Sequence, residues 1–180
     1  MAKRPGNGDG DAVGRVMEML KEHSVEYVDL RFTDPRGKWQ HTAQHVSTID
    51  EEAFRDGIMF DGSSIAGWKA INESDMILLP DAETAVMDPF AAKPSLILFC
   101  DIIEPSTGQP YNRDPRSTAK KADQYLLARG IGDTCFVGPE AEFFVFDSVR
   151  FGVGGNYAMY QLDSQEGPQA SMKDYPEGNM

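Results

Sequence analysis

The sequence predicts an α+β fold in which a small sheet curls around one helix. Three observations support this class. Apolar residues recur at helical spacing between residues 13 and 20, and apolar and polar residues alternate over 28–33. Two later runs, 76–80 and 95–102, are largely apolar. The order of these signals places a helix first, then strands, then further strands after a second helix, and each is justified in turn below.

The first half of the predicted sheet is a hairpin that follows the first helix. That helix is short and amphipathic, with an apolar face formed by Val13, Val16, Met17 and Leu20. Val28, Leu30 and Phe32 alternate with polar residues, which predicts a strand with one face in water. Pro35 and Gly37 favour a turn, so the next run returns antiparallel to the first strand.

A second helix and two more strands complete the first region. Thr48 and Glu51 form a capping-box pattern, which predicts a helix that ends near Asp56 and is closed by Gly57. We expect a loop over residues 57–75 and then the two apolar strands. A hairpin, a helix, a loop and further strands in this order are typical of a β-grasp fold.

The later part of the chain predicts the beginning of another domain. Asp114 and Pro115 can start a helix that runs to Gly130, and the very apolar segment 134–147 predicts a strand. Beyond Phe151 we predict no element long enough to close a core. The predicted organisation is a flexible tail, a β-grasp region and the start of a second domain, at residues 1–11, 12–104 and 105–180.

Charge and cysteine content exclude several classes of function. The chain has 17 basic and 29 acidic residues and a net charge of -12, which would repel a nucleic acid backbone. The N-terminus lacks a signal-peptide pattern, and no apolar run is long enough to span a bilayer. Cys100 and Cys135 lie among apolar neighbours, as buried free thiols in strands do. We therefore expect a cytoplasmic protein without nucleic acid or membrane partners.

Glu140 and Glu142 are the first candidate site. A strand has a period of two, so both carboxylates would lie on one face of the predicted strand. Carboxylates among phenylalanines are suited to bind a hard divalent cation, Mg²⁺ or Mn²⁺, because such ions prefer oxygen ligands. The same pattern also occurs on a strand with one solvated face, and this spacing suits the acid pair of a glycosidase less well.

The second candidate site is a loop that carries a single acidic residue, Asp61. Around it lie glycines, hydroxyl groups and an aromatic residue, namely Gly62, Ser63, Ser64, Gly67 and Trp68. An anionic side chain beside an aromatic wall can receive a small cation, and the acid can accept a proton. Without further context, an Asp-Gly-Ser sequence is also typical of a simple turn.

Two weaker patterns do not predict a binding site. His41 and His45 are four residues apart, but they lie in a predicted strand and lack the glutamate of a helical zinc site, which favours surface histidines. The glycines of 152–156 lack the lysine of a P-loop and the context of a dinucleotide-binding turn.

These segments resemble a known family. MFDGSSIAGWKAINESDMILLPD, residues 59–81, is similar to the β-grasp signature of bacterial type I glutamine synthetases, and VGPEAEFFVFD, residues 137–147, is similar to the first metal-binding strand of their catalytic domain. The resemblance extends from about residue 13 to the end. One departure is Ala141, where the family more often has proline; both glutamates are retained.

The resemblance implies an activity and a set of site residues. The family joins glutamate and ammonia using ATP, through a γ-glutamyl phosphate, in a double-ring dodecamer. Glu140 and Glu142 would bind the active-site Mg²⁺ or Mn²⁺, and Asp61 would bind ammonium and remove its proton. Ser63, Ser64 and Trp68 belong to the same loop, which in the family enters the neighbouring subunit's site. The remaining ATP contacts cannot be assigned in this chain.

The resemblance also implies an antiparallel catalytic barrel that begins after the β-grasp region, and an N-terminal fragment that is inactive alone. Two alternatives stay open. One is a non-catalytic assembly or binding module that inserts the Asp61 loop into complete subunits. The other is a relative that joins glutamate to a different amine, for which a carboxylate at Asp61 would be less necessary.

Overall fold

The computed structural model describes residues 10–165, which form parts of two compact units divided between Cys135 and Phe136. Each unit is described by itself below. The predicted flexible tail lies mostly outside the described residues, and its last two positions belong to the first helix, which begins at Gly10.

The described part of the first unit contains three α-helices, four short 3-10 helices and one sheet. Its elements in chain order are α1 (Gly10–Glu22), β1 (Tyr27–Thr33), β2 (Trp39–His45), α2 (Glu51–Asp56), β3 (Ile58–Asp61), β4 (Asp75–Pro80), β5 (Val86–Met87), β6 (Ser95–Glu104), β7 (Gln109–Pro110) and α3 (Pro115–Ala128). The strand order is β2-β1-β6-β4-β3, with β5 and β7 paired to β6. Strands β1 and β6 are parallel and the other pairs are antiparallel. The predicted α+β fold with a β-grasp sheet is thus confirmed.

The sheet and the first two helices share one apolar core. Val16 and Leu20 of α1 and Phe54 of α2 belong to the same buried cluster as the inward-facing strand residues. Those strand residues include Val28, Leu30, Phe32, Met76, Leu78, Leu96, Leu98 and Ile102. Burial of these side chains supplies most of the free energy that holds the helices on the sheet.

The hairpin between β1 and β2 forms as predicted, and Asp34 organises its turn. The Asp34 carboxylate is fully buried and accepts hydrogen bonds from the backbone N–H groups of Arg36 (2.9 Å) and Lys38 (3.0 Å) and from the Gln40 amide (3.0 Å). The Gln40 hydrogen bond is the main cause that lowers the pKa of Asp34. Gly37 adopts a φ of 83°, which explains why the turn needs glycine there.

The alternation predicted that the polar face of β1 lies in water, but part of this face is buried. Asp29 is buried, and its carboxylate contacts Arg31 Nε and His41 Nδ1, each at 2.7 Å. Arg31 in turn donates to Asp88 at 3.0 Å. A carboxylate can be buried here because a guanidinium group compensates its charge.

The start of α2 differs from the prediction. Its N-cap is Asp50, whose side chain accepts the backbone N–H of Ala53 at 3.1 Å, so the expected Thr48–Glu51 capping box is wrong. The Thr48 hydroxyl instead donates to the carbonyl of His45 at 2.8 Å in a short turn. The helix does end at Asp56, and Gly57 follows with a φ of 78°.

Strand β3 lies inside the segment that was predicted to be only a loop. It pairs antiparallel with β4, and its last residue, Asp61, is opposite Asp75. The other apolar strands form as predicted, as β4 and β6. Helix α3 also starts as predicted at Asp114 and Pro115, but it ends at Ala128 rather than at Gly130.

The start of α3 carries a testable contribution to stability. Asp114 is 0% exposed, and it accepts hydrogen bonds from the backbone N–H groups of Arg116 and Ser117 and from the Ser117 hydroxyl. We expect Asp114→Ala to lower the free energy of unfolding by about 2 kcal/mol, because the helix loses its cap. Asp123→Ala, which removes an exposed carboxylate from the same helix, should change it by less than about 0.5 kcal/mol in urea titrations. Equal effects of the two substitutions would contradict the capping role.

The described part of the second unit contains one hairpin that the sequence did not predict. Strands β8 (Ser148–Gly154) and β9 (Tyr157–Asp163) pair antiparallel through a two-residue connection. Most of their side chains are exposed, so the expectation that no element beyond Phe151 is long enough to close a core stays a prediction. Cys135, just before this unit, is exposed and lies outside any strand, contrary to prediction, whereas Cys100 is buried in β6 as expected. Burial raises the pKa of the Cys100 thiol, which therefore stays protonated.

Candidate functional site

Strand β3 places Asp61 at the edge of the sheet, where the chain leaves it. The next residue, Gly62, donates its N–H to the carbonyl of Ser74 at 2.7 Å, which ties the turn to the strand opposite. A Cβ atom on Gly62 would lie 2.5 Å from Met76 Cγ, a side chain in the buried core. Glycine after Asp61 is therefore needed for the close approach of turn and sheet.

The Asp61 carboxylate is exposed and held in one orientation by the two serines that follow it. Oδ1 accepts hydrogen bonds from the Ser63 backbone N–H (2.8 Å) and hydroxyl (2.6 Å), and Oδ2 accepts a longer one from the Ser64 hydroxyl (3.3 Å). The Ser63 hydroxyl and then its N–H are the main causes that lower the pKa of Asp61. Hydrogen bonds to the charged form explain this direction.

This arrangement makes Asp61 a fixed anion at neutral pH. Its pKa is lower in the folded chain than in the unfolded chain, so its ionised form is retained until the pH falls below the ordinary range of an aspartate. Oδ1 accepts two short hydrogen bonds from Ser63, whereas Oδ2 accepts the longer one from the Ser64 hydroxyl, so Oδ2 is the oxygen better placed to receive a cation. The structure thus brings together three of the four predicted loop residues.

Trp68, the fourth loop residue, lies in the core. It is 4% exposed, and its ring packs near Phe32, Phe60 and Tyr111, with centroid distances of 5.4, 6.1 and 5.4 Å. Its Nε1–H is buried and meets no acceptor among the described residues. Because the ring is covered, Trp68 is not an exposed aromatic wall in this unit; it anchors the end of the loop.

The sequence did not reveal which residues support this anchor. The Tyr111 hydroxyl donates to the Trp68 carbonyl at 2.9 Å, and Arg113 donates to the carbonyls of Gly67 (2.6 Å) and Trp68 (3.3 Å). These two residues lie between β7 and α3, and neither was among the predicted site residues. Contacts between side chains and carbonyls some 45 positions away leave no periodic signal in a sequence.

Glu140 and Glu142 belong to the second unit, and their surroundings differ from the prediction. Residues 134–146 form no helix or strand, and both glutamates are exposed, so the predicted strand is wrong. The apolar side chains of this segment are exposed as well, among them Phe143 and Phe144. A strand needs a neighbour that satisfies its backbone groups, and the described chain pairs none with this segment.

The two glutamates match a divalent cation in the chemistry of their donors. Carboxylate oxygens are the ligands that Mg²⁺ and Mn²⁺ prefer. Residues 10–165 assemble no group of three or more His, Cys, Asp or Glu side chains that could hold a metal. That the two glutamates bind a metal stays a prediction.

The histidines of β2 are surface residues, as the sequence indicated. His41 contacts the Asp29 carboxylate, and His45 Nδ1 contacts the Ser47 hydroxyl at 2.8 Å. Within residues 10–165, no helix is long and apolar enough to cross a bilayer.

Comparison with known proteins adds family matches over most of the chain. Residues 24–105 match the family model described as glutamine synthetase, beta-Grasp domain, and residues 112–177 match the one described as glutamine synthetase, catalytic domain. The predicted boundary at 104/105 lies at the edge of the first match, whereas the compact units divide after Cys135. The boundary stays a prediction.

Individual relatives match nearly the whole chain but only part of their own length. A glutamine synthetase of Azospirillum brasilense is 66% identical over 93% of this chain and 36% of the relative. A protein of Cupriavidus pinatubonensis named 3-hydroxylaminophenol mutase is 50% identical, again over 93% and 36%. The chain thus spans about a third of the length of these relatives.

A solved structure supports the fold. A glutamine synthetase of Plasmodium falciparum, determined by cryo-electron microscopy, matches with a TM-score of 0.66 at 22% identity. The match covers 99% of this chain and 35% of that one.

Proposed function

Because the chain belongs to the glutamine synthetase family, we propose that the complete protein joins ammonia to the γ-carboxyl group of glutamate at the expense of ATP. The observation that carries this proposal is the pair of family matches, which run in the same order over 24–105 and 112–177. The fixed Asp61 carboxylate agrees with it, because ammonium is a small cation.

Asp61 is the residue of this chain for which we propose a direct chemical role. Its carboxylate would bind ammonium and accept a proton from it, which leaves ammonia free to attack the γ-glutamyl phosphate. Ser63 and Ser64 would keep the carboxylate oriented and ionised, as their hydrogen bonds indicate. Trp68 would not contact ammonium; its buried ring would fix the end of the loop.

Glu140 and Glu142 would hold Mg²⁺ or Mn²⁺ together with ligands outside the described residues. When bound, such an ion neutralises phosphate charge during transfer from ATP. Among the described residues of this unit, the proposed ligands are these two carboxylates, which are separated by Ala141.

The partners that follow are glutamate, ammonia and ATP, together with further copies of the same protein in a dodecamer. In that assembly Asp61 and Glu140 would serve different active sites. We also propose a cytoplasmic location, where these substrates are present.

One finding favours a second candidate function. The 50% identical relative is named 3-hydroxylaminophenol mutase, which indicates that close similarity over this region can accompany a different activity. A relative acting on another amine, or an assembly module without catalysis, is a further alternative. The retained Asp61 favours ammonia over other amines.

The decisive experiment uses a chimera in which this chain replaces the aligned part of the Azospirillum brasilense relative. We expect ATP- and ammonium-dependent glutamine formation by the chimera, and none by the 180 residues alone, since residues 10–165 assemble no metal cluster. Glutamine formation can be followed by chromatography, with a Glu140→Ala chimera as control.

Three results would count against the proposal. An inactive chimera that assembles like its parent would reject the ligase function. If the 180-residue chain alone is active and Glu140→Ala abolishes that activity, the proposal that its active site is incomplete is rejected. Activity with a different amine but not with ammonium would favour the alternative substrate.

A further inference from the structure

At the end of the loop that carries Asp61, the carbonyl groups of Gly67 and Trp68 accept hydrogen bonds from two side chains outside the loop. The donors are the Tyr111 hydroxyl, 2.9 Å from the Trp68 carbonyl oxygen, and the Arg113 guanidinium, 2.6 Å from the Gly67 carbonyl oxygen. Tyr111 is buried and Arg113 is exposed. We call these two residues the clamp.

The clamp sits on a rigid base. The Asp114 N–H donates to the Tyr111 carbonyl at 3.3 Å, and the same Asp114 caps α3. Helix α3 is anchored on the sheet by Arg116, whose Nε lies 2.9 Å from Asp101, and by Lys120, 2.5 Å from the same carboxylate. Arg116 also pairs with Asp81. The backbone at Tyr111 is therefore tied to the start of α3.

A continuous series of backbone hydrogen bonds joins the clamp to the Asp61 turn. Trp68 donates its N–H to the Ile65 carbonyl (3.1 Å), and Ile65 donates to the Gly62 carbonyl (3.2 Å). Gly62 is the residue after Asp61. A displacement at Trp68 would thus be passed to the carboxylate through two short turns.

A second contact fixes the same end of the loop. Lys69 pairs with Glu104 at 2.5 Å, and its ammonium lies 5.5 Å from the centre of the Tyr111 ring. This ion pair holds the chain just beyond Trp68 against β6. The loop is therefore fixed on both sides of the Trp68 carbonyl.

We propose that Tyr111 and Arg113 are positioning residues, which set the location of the Asp61 carboxylate by holding the carbonyls of Gly67 and Trp68. The inference deepens the proposed function, on which its consequence for ammonium rests. The clamp itself can be tested without any activity.

The test uses the 180-residue chain with Trp39→Phe, so that Trp68 is the single tryptophan. Variants are Arg113→Met, which keeps the length of the side chain but removes its donors, Arg113→Lys, which retains a cationic donor, and Tyr111→Phe. Arg55→Met is the matched control, because Arg55 is exposed and forms ion pairs with its neighbours Glu52 and Asp56 on α2. The readouts are acrylamide quenching of Trp68 and hydrogen exchange at the amides of Ile65 and Trp68.

We expect Arg113→Met combined with Tyr111→Phe to speed exchange at these two amides about five- to thirtyfold and to increase quenching, because the loop loses its carbonyl donors. Arg113→Lys keeps a cationic donor, so it should retain most of the protection of these amides against exchange. Arg55→Met should leave their exchange rates unchanged. Unchanged exchange in the double variant, or equal acceleration in β6, would overturn the clamp.

The chimera separates this inference from the proposed function. With an active chimera, Arg113→Met should raise the KM for ammonium more than it lowers kcat, and Arg113→Lys should reverse the effect. An unchanged KM alongside a loosened loop would overturn the positioning role. If the chimera makes no glutamine but the exchange result is obtained, the proposed function fails and the clamp stands.

Discussion

Asp61→Asn should lower the ammonium-dependent activity of the chimera by about 10²- to 10⁴-fold, the range typical of a lost general base. The substitution keeps the size of the side chain and an acceptor for Ser63, but it removes the charge that would attract ammonium. The loss should therefore appear both as a higher KM for ammonium and as a lower kcat. Steady-state kinetics with ammonium varied at saturating glutamate and ATP would measure it.

The matched control is Asp75→Asn, which makes the same change directly across the β3–β4 pair. Asp75 is exposed and has no proposed role, so its variant should stay within about twofold of the parent, as for other surface substitutions. Equal losses in both variants would assign the effect to the edge of the sheet rather than to Asp61. A fully active Asp61→Asn chimera would remove Asp61 from the reaction.

Leu98→Ala should lower the free energy of unfolding of the chain by about 3–5 kcal/mol, the usual cost of a leucine-sized cavity. Leu98 is fully buried in β6 and lies opposite Leu30 of the parallel strand β1, so its truncation removes apolar contacts from the core. Urea unfolding followed by circular dichroism would give the value.

Leu127→Ala provides the control, because the same side chain on α3 is 57% exposed. It should change the unfolding free energy by less than about 0.5 kcal/mol. A loss below about 1 kcal/mol at Leu98 would mean that this strand is not in the core of the first unit.

The parts of the fold that the sequence predicted are those with long, regular patterns. Alternation at Val28, Leu30 and Phe32 marked β1, and apolar runs marked β4 and β6. Strand β3 was missed because its four residues run directly into the loop. The β8–β9 hairpin was missed because its glycines were interpreted as irregular chain, although a two-residue connection at 155–156 between apolar runs is a hairpin signal.

The candidate site was predictable only where its contacts are local. The Asp61 turn follows from neighbouring hydroxyl groups, so residue types within three positions sufficed. The burial of Trp68 depends on Phe32 and Tyr111, which are distant in sequence. The strand predicted around Glu140 does not form, because a strand depends on neighbouring strands and none pairs with this segment among the described residues. A pattern within one segment does not reveal this.

The clamp also has a consequence for how genes of this family can exchange parts. A crossover at residue 105, where the first family match ends, would bring Tyr111 from one parent and Trp68 from the other, and likewise Arg116 and Asp81. Offspring of divergent parents would then inherit mismatched partners on both sides of the junction. Crossovers placed after α3 would keep each pair within one parental segment, so recombinants that survive selection should carry their junctions there.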